Sequence, residues 1–570
     1  MAVLTLGPGL TYDFDWQNIF QAGAFDIDHF VEGDASHLTL RTRDANGAYQ
    51  DFVIVLEGTG FTYGDRPGYS IYNQAPLGGV VTKVTAYFDY DDDGVVDESE
   101  KTALTFTGLN VSLDKLFYRM FDYDDGIASH RADGWAAVSL LLSGNDTIQV
   151  DPLSGNNRVT VGTNRGNDKF FGTGLDEFFD GNAGRDLYDG KGGTDTLSFL
   201  WRTYEDAGAR GITLDAIGKK VKALGTVKDP WGGADTFKSI EKFEGTLKND
   251  VMKGANQSTF TEWFTGFDGN DTIDGRKGFD AVDYSHDFMF PGGLRGIVAN
   301  LADKGYGTIR DGFGSVDKVI NVEMIVGTPF ADVMNGNKFD NTFVGLMGDD
   351  VIDGKGGTDT IDYARNEIYI EDGIDGDGGI AVELSAVDGD GYSQINDGLG
   401  GFDKVKNVEN VVGTSYADSI AGNAAANVLD GGLGTDTLDG GLGNDTLDGG
   451  LSNDGTYSDG AADTFLFTTA IGPDNVDTIR NFETGKDSIV LDGIIFAGLA
   501  GGEVSGAEFQ AGFGLTESGT AGVFLVYDQT TGNLYYDADH TTAGAVLFAR
   551  VFNFYGNPST LVASDLSVMV

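Results

Sequence analysis

From about residue 141 onward, apolar positions come singly or in short alternations, and glycine punctuates the chain every four to nine residues. That rhythm is too short for a helical face and predicts very short strands joined by tight turns. The phase is strictest near residue 430, in three consecutive nine-residue units. They read Asp430-Gly-Gly-Leu-Gly-Thr-Asp436-Thr-Leu, Asp439-Gly-Gly-Leu-Gly-Asn-Asp445-Thr-Leu and Asp448-Gly-Gly-Leu-Ser-Asn-Asp454. In the first two units the Thr-Leu step is a strand whose Leu438 or Leu447 points into a coil. A new loop follows nine residues later, so every second loop stacks on the same edge.

The loops carry chemistry as well as geometry. Gly432, Gly434, Gly441 and Gly443 permit positive φ, which aims carbonyl oxygens inward. Asp436, Asp445 and Asp454 add hard anionic oxygens, the donors that Ca²⁺ prefers. A divalent ion between stacked loops would cancel their charge.

Similar loops recur upstream in clusters. One places Asp168, Asp176, Asp186 and Asp195 after Gly-x steps, at spacings of 8, 10 and 9 residues. Others place Asp271 and Asp280, then Asp350 and Asp359, each nine apart. Between clusters lies a longer repeat, running from Glu241 through Gly245 and Asp250 to Gly254. It returns as Glu323-Gly327-Asp332-Gly336 and as Glu409-Gly413-Asp418-Gly422. Asp235, Asp317 and Asp403, each six residues before the Glu, recur 82 and then 86 residues on. The Glu positions suit a turn or capping role as well as ligation. Phe199, Tyr284 and Tyr363 follow the last loop aspartate of their clusters and are read as core packing, stacked from coil to coil.

Residues 1–140 are aromatic-rich and lack nonapeptides; Asp51–Leu56 and Val80–Phe88 alternate as strands. Next comes Asp89-Tyr-Asp91-Asp-Asp93-Gly94-Val95-Val-Asp97-Glu-Ser-Glu100, which fits the twelve-residue EF-hand loop at positions 1, 3, 5, 6, 9 and 12. Its ligands would be Asp89, Asp91, Asp93, Val95 through its carbonyl, Asp97 and Glu100. The approach is a strand rather than a helix, so a calcium loop within a β-hairpin is expected. One helical spacing stands out, at Leu113, Leu116, Phe117 and Met120. Residues 463–570 return to alternating strands, at Ala462–Phe467, Val476–Phe482, Asp487–Leu491 and Gly532–Asp537.

The fold class is therefore all-β: a parallel β-roll or β-helix solenoid of calcium-binding nonapeptide repeats. It spans 141–462, between a β-rich N-terminal domain at 1–140 and a β-rich C-terminal cap at 463–570. On the order of ten Ca²⁺ ions follow if most paired loops bind one each.

Charge sharpens this picture. Lys and Arg number 37 against 89 Asp and Glu, a formal net charge of −52. A compact chain so charged repels itself without counterions. The same sign argues against nucleic acid as a partner. The 38 Phe and 22 Tyr are enough to fill real cores, so this is no disordered polyanion. No cysteine is present, which excludes disulfides and thiolate sites. Residues 1–7 have neither the basic flank nor the apolar stretch of a cleaved signal, and no run reaches the 18–20 or so apolar residues of a membrane helix.

Residues 141–570 resemble the RTX (repeats-in-toxin) proteins exported by bacterial type I secretion. The match is closest at 430–454, while "ADTFLF", "VDTIRNF", "DSIVLD" and "GNLYYDAD" resemble the C-terminal region of serralysin-type members. That resemblance implies an uncleaved C-terminal export signal, for which Asp565–Val570 has the acidic-then-apolar ending. It also implies passage through the type I machinery and a place outside a Gram-negative cell or on its surface. In a low-calcium cytosol the chain would stay unfolded for threading, and calcium outside would fold it.

Catalytic signatures are scarce. The five histidines are isolated, with no His-Glu-x-x-His and no Gly-x-Ser-x-Gly. No catalytic residue is assigned, and the reading leans away from an enzyme. It favours a structural protein of a surface layer, filament, matrix or adhesion, with self-assembly or cell-surface polysaccharide as its partner. The alternative is a secreted enzyme degrading polysaccharide, protein or lipid, its site in 1–140 or the repeat insertions.

Overall fold

The computed structural model describes residues 166–200, 210–216, 224–256, 259–365, 378–451, 459–539 and 544–570 with their side chains, and upstream of these the strands. They form two units, Met1–Asp280 and Ala281–Val570. No helix among the described residues is long and apolar enough to cross a membrane.

The nonapeptides fold as expected. Their strands are three residues long, and only the middle side chain is fully buried, as in Thr437–Asp439 and Thr446–Asp448. Leu438 and Leu447 are both 0% exposed, each worth about 2 kcal/mol of apolar burial. Strands eighteen residues apart pair in parallel and in register. Thr437–Asp439 lies on Ser419–Ala421 with Leu438 opposite Ile420, and Thr446–Asp448 lies on Val428–Asp430 with Leu447 opposite Leu429. Successive strands thus alternate between two sheets, and the chain is a β-roll.

In unit 1, a meander of Tyr49–Gly64, Ala75–Phe88 and Lys101–Ser112 is antiparallel throughout. Both strands read from the N-terminal pattern are present. Val3–Leu6 joins this meander to the roll, pairing antiparallel with Lys101–Ser112 and parallel with Thr147–Val150. Phe88 stands opposite Lys101, so strands flank the EF-hand-like segment as expected. Residues 89–100 and the helical spacing at 113–120 lie outside the described residues.

The long repeats keep the roll going but splice strands into one of its sheets. In unit 2, Val298–Asn300 pairs parallel with Val333–Asn335 and antiparallel with Gly307–Arg310, which pairs antiparallel with Val316–Ile320. The chain overshoots along one sheet, folds back, and only then resumes. Ala381–Glu383, Ser393–Asn396 and Phe402–Lys406 repeat this plan, as do Thr213–Asp215, Gly225–Lys228 and Ala234–Lys238 in unit 1. The other sheet stacks without interruption, Thr360–Asp362 directly on Asn410–Val412. Downstream, Thr464–Phe467, Ser488–Asp492 and Leu566–Met569 extend the roll in parallel.

Phe199, Tyr284 and Tyr363 are buried as expected. Stacked rings include Phe170 with Tyr188 and Phe243 with Phe264. The two tyrosines add a polar contact: each hydroxyl donates at 2.8 Å to a buried carboxylate of its long repeat, Tyr284 to Asp317 and Tyr363 to Asp403.

Candidate metal centre

The loop aspartates point inward and form ladders. The backbone N–H of each donates to one carboxylate oxygen of the aspartate at the equivalent place one coil on. Asp418 donates to Asp436 at 2.8 Å, Asn427 to Asp445 at 2.7 Å, Asp332 to Asp350 at 2.8 Å and Asn341 to Asp359 at 2.8 Å. In unit 1, Asp168 donates to Asp186 at 2.6 Å, Asp250 to Asp271 at 2.7 Å and Glu262 to Asp280 at 3.3 Å. Columns end on residues of the long repeats: Asp186 donates to Asp235, Asp195 to Glu241, Asp350 to Asp403 and Asp359 to Glu409. Glu241 and Glu409 thus each accept a rung amide with one carboxylate oxygen.

The ladder uses one oxygen of each carboxylate. The second oxygen, Oδ2, of Asp350, Asp359 and Asp436 is buried without a hydrogen-bond partner. An unpartnered buried carboxylate oxygen is expensive. Burial pushes the carboxyl of Asp436 up to about 8 and that of Asp359 to about 7. Asp350 is raised by burial first and then by the neighbouring charges of Asp332 and Asp403. A cation would remove this penalty.

The backbone at these loops is shaped to match. Four residues before the rung aspartate, φ is positive at Gly432 (87°), Gly441 (84°), Leu346 (68°), Lys355 (74°), Arg276 (69°), Phe267 (60°) and Lys191 (70°). Five of these seven are not glycine, and each such residue costs of order 1 kcal/mol, strain that gathers at ligand sites. This turn swings the N–H away from the rung carboxylate: Gly432 and Gly441 donate instead to Asp430 and Asp439 at 3.0 and 3.1 Å. The carbonyl oxygens of Thr414, Tyr416, Asn423 and Ala425, from the loops one coil back, face Gly432, Gly434, Gly441 and Gly443. A Cβ at any of these four would collide with the facing carbonyl, so in these two loops glycine keeps the carbonyl-lined cradle open.

Among the described residues, no three His, Cys, Asp or Glu side chains converge on one point. An ion here would take a minority of carboxylate oxygens and a majority of backbone carbonyls. Such an all-oxygen set suits a hard cation of high coordination number, Ca²⁺, and the residues present fit it.

Of the remaining residues singled out by sequence, Asp195 is a buried rung, its Oδ1 accepting from Glu177 at 2.9 Å. Asp176 sits on the exposed rim, where its Oδ1 accepts from Thr194 at 2.6 Å. The buried rung beside it is Glu177. Sequence reasoning missed Glu177 and also Glu262, Asn341 and Asn427, because they do not follow a Gly-x step as aspartates. The signal was the phase itself: 168, 177, 186 and 195 are strictly nine apart, as are 332, 341, 350 and 359. Asp454 lies outside the described residues, as do Asp89, Asp91, Asp93, Val95, Asp97 and Glu100.

Comparison with known proteins agrees with the loops. The family described as the RTX calcium-binding nonapeptide repeat matches four times, over residues 263–282, 326–361, 412–447 and 431–465. The chain therefore carries RTX calcium-binding repeats, and Ca²⁺ is the ion that such repeats take. Among solved structures, the extracellular lipase LipA from Serratia marcescens is 14% identical, over 57% of this chain and 40% of the lipase, with a TM-score of 0.11. So loose a superposition carries no argument about activity. No curated protein matches the chain.

Proposed function

We propose that this RTX-repeat chain is a secreted structural protein of a Gram-negative cell surface or matrix, as a surface layer, filament or adhesin, that folds on calcium after type I export. One observation carries the reading: successive coils are stapled through buried carboxylates that keep an unpartnered oxygen, in a chain of net charge −52. Without a cation, these carboxylates oppose the fold they hold together. With calcium at the millimolar level found outside cells, binding energy becomes folding energy.

The ions sit at the rung carboxylates, including Asp186, Asp195, Asp271, Asp280, Asp350, Asp359, Asp436 and Asp445, with the glycine-lined carbonyls of each loop completing the shell. The EF-hand-like segment from Asp89 to Glu100 binds one more, for a total on the order of ten. Organisation follows the sequence in three parts: 1–140, the roll of 141–462 and the cap of 463–570. Leu566–Met569, the proposed export signal, is a strand in the roll of the cap. It is open to the secretion machinery only while the chain is unfolded, which agrees with folding after export. Partners are other copies of the chain or cell-surface polysaccharide.

Light scattering coupled to size exclusion tests this reading, first in chelator and then in millimolar calcium. Passage from an expanded chain to large, chelator-reversible assemblies supports a surface structure. Collapse to a compact monomer would overturn the assembly role and favour a soluble binder or enzyme.

A further inference from the structure

Among the rungs, two kinds differ at the residue four positions upstream. In the open loops that position is left-handed and its N–H faces away. At four other rungs it is a threonine absent from the left-handed set. Its N–H donates straight to the rung carboxylate: Thr173 to Glu177 at 3.0 Å, Thr246 to Asp250 at 2.7 Å, Thr328 to Asp332 at 2.7 Å and Thr414 to Asp418 at 2.6 Å.

The hydroxyl completes the seal. Each threonine Oγ1 donates to the same carboxylate, at 2.5 Å for Glu177, 3.1 Å for Asp250, 2.9 Å for Asp332 and 2.9 Å for Asp418. Each Oγ1 in turn accepts the N–H two residues on, from Leu175, Lys248, Phe330 and Tyr416. The outer oxygen of Asp332 and of Asp418 receives an amide at the place where that of Asp350 and Asp436 receives nothing. Ile297 and Ile380 also donate to Asp332 and Asp418. At Asp332 and Asp418 two amides and a hydroxyl take three of the carboxylate's roughly four lone-pair sites, and neither oxygen is left without a donor.

We propose that Thr173, Thr246, Thr328 and Thr414 take the place of a cation at these rungs. Glu177, Asp250, Asp332 and Asp418 are then metal-free latches on which calcium-requiring rungs stack. The arrangement has an order: Asp332 and Asp418 precede the open rungs Asp350 and Asp436 by one coil, and each latch amide donates to the open carboxylate that follows. A latch needs no metal, so it fixes the edge of a column before any ion arrives and gives each calcium stack a defined starting rung. The sequence mark is Gly-Thr-x-x-x-Asp/Glu in place of Gly-Gly-x-Gly-x-Asp.

The inference rests on the calcium reading, and one experiment separates the two. Bound calcium is counted by equilibrium dialysis with radioactive calcium on the full chain and on Asp436→Asn, Asp418→Asn and Thr414→Val. The expected result is that Asp436→Asn loses about one ion, whereas Asp418→Asn and Thr414→Val keep the full count. Thr414→Val, which retains the carboxylate, also melts at lower temperature in saturating calcium. Loss of an ion from Asp418→Asn or from Thr414→Val would overturn the latch assignment while leaving calcium binding intact. An unchanged melting midpoint for Thr414→Val would overturn it too. Retention of the full count by Asp436→Asn, or no bound calcium in the parent chain, would instead bring down the calcium reading itself.

Discussion

The backbone amide of Asp418 donates to Oδ1 of Asp436 at 2.8 Å, eighteen residues and one coil away, while Oδ2 of Asp436 is buried without a partner. This division of labour within one carboxylate joins the fold to its ion. One oxygen positions the coil and the other awaits a cation, so removing the side chain and removing the metal should have related effects.

Substituting Asp436 by alanine leaves the Asp418 amide buried and unpaired and deletes a proposed ligand. We expect a loss of about 1–3 kcal/mol in saturating calcium from the amide alone, and a higher calcium concentration at the folding midpoint. Chemical unfolding at fixed calcium, then calcium titration, checks both.

Glycine at the cradle is required on two grounds. Gly434 has φ 118° and faces the Tyr416 carbonyl. Gly434→Ala should cost about 1–3 kcal/mol from backbone strain, with further loss from the close approach. By contrast, Lys355 holds φ 74° without being glycine, and its exposed ammonium pairs with Asp353 at 2.6 Å. Buried Asp353 keeps Lys406 at 3.4 Å and the Asn407 amide at 2.7 Å without it. Lys355→Gly should therefore stabilise the chain by up to about 1 kcal/mol in a thermal melt. A destabilised variant would show that the side chain matters more than the strain.

The sequence pattern anticipated the roll, the nine-residue phase and the short strands around Leu438 and Leu447, because strict repetition exposes a coil directly. It did not expose the rungs held by Glu177 and Glu262, which carry the same acceptor on a longer stem and break the Gly-x-Asp spelling. Nor did it reveal the strands spliced in at Gly307–Arg310 and Ser393–Asn396. Their alternation was visible, but their antiparallel place between two parallel strands is fixed by pairing partners distant in sequence.

The hydroxyls of Tyr284 and Tyr363 were hidden for the same reason, their partners lying 33 and 40 residues away. Tyr363→Phe removes the donor to buried Asp403 without changing the ring. It should cost about 1–3 kcal/mol, whereas a ring that served only packing would tolerate the change. Urea unfolding in calcium distinguishes the two.

Protons should partly replace calcium. Burial raises the carboxyls of Asp235 and Asp436 to about 8 and those of Asp186 and Asp359 to about 7, from an ordinary 3.8. In chelator, the folded chain then binds more protons than the unfolded chain between about pH 4 and 8, so stability falls as pH rises through that window. Far-ultraviolet circular dichroism in chelator should show β-structure that declines from pH 5 to pH 8. β-Structure that increases over the same range would contradict the burial of these groups.

The most direct test of the account is far-ultraviolet circular dichroism of the full chain at pH 7.5, in chelator and then through a calcium titration. Little β-structure is expected in chelator, then a cooperative gain at about 10⁻⁴–10⁻³ M free calcium, reversed by chelator. A full native β-sheet spectrum before any calcium is added would contradict it.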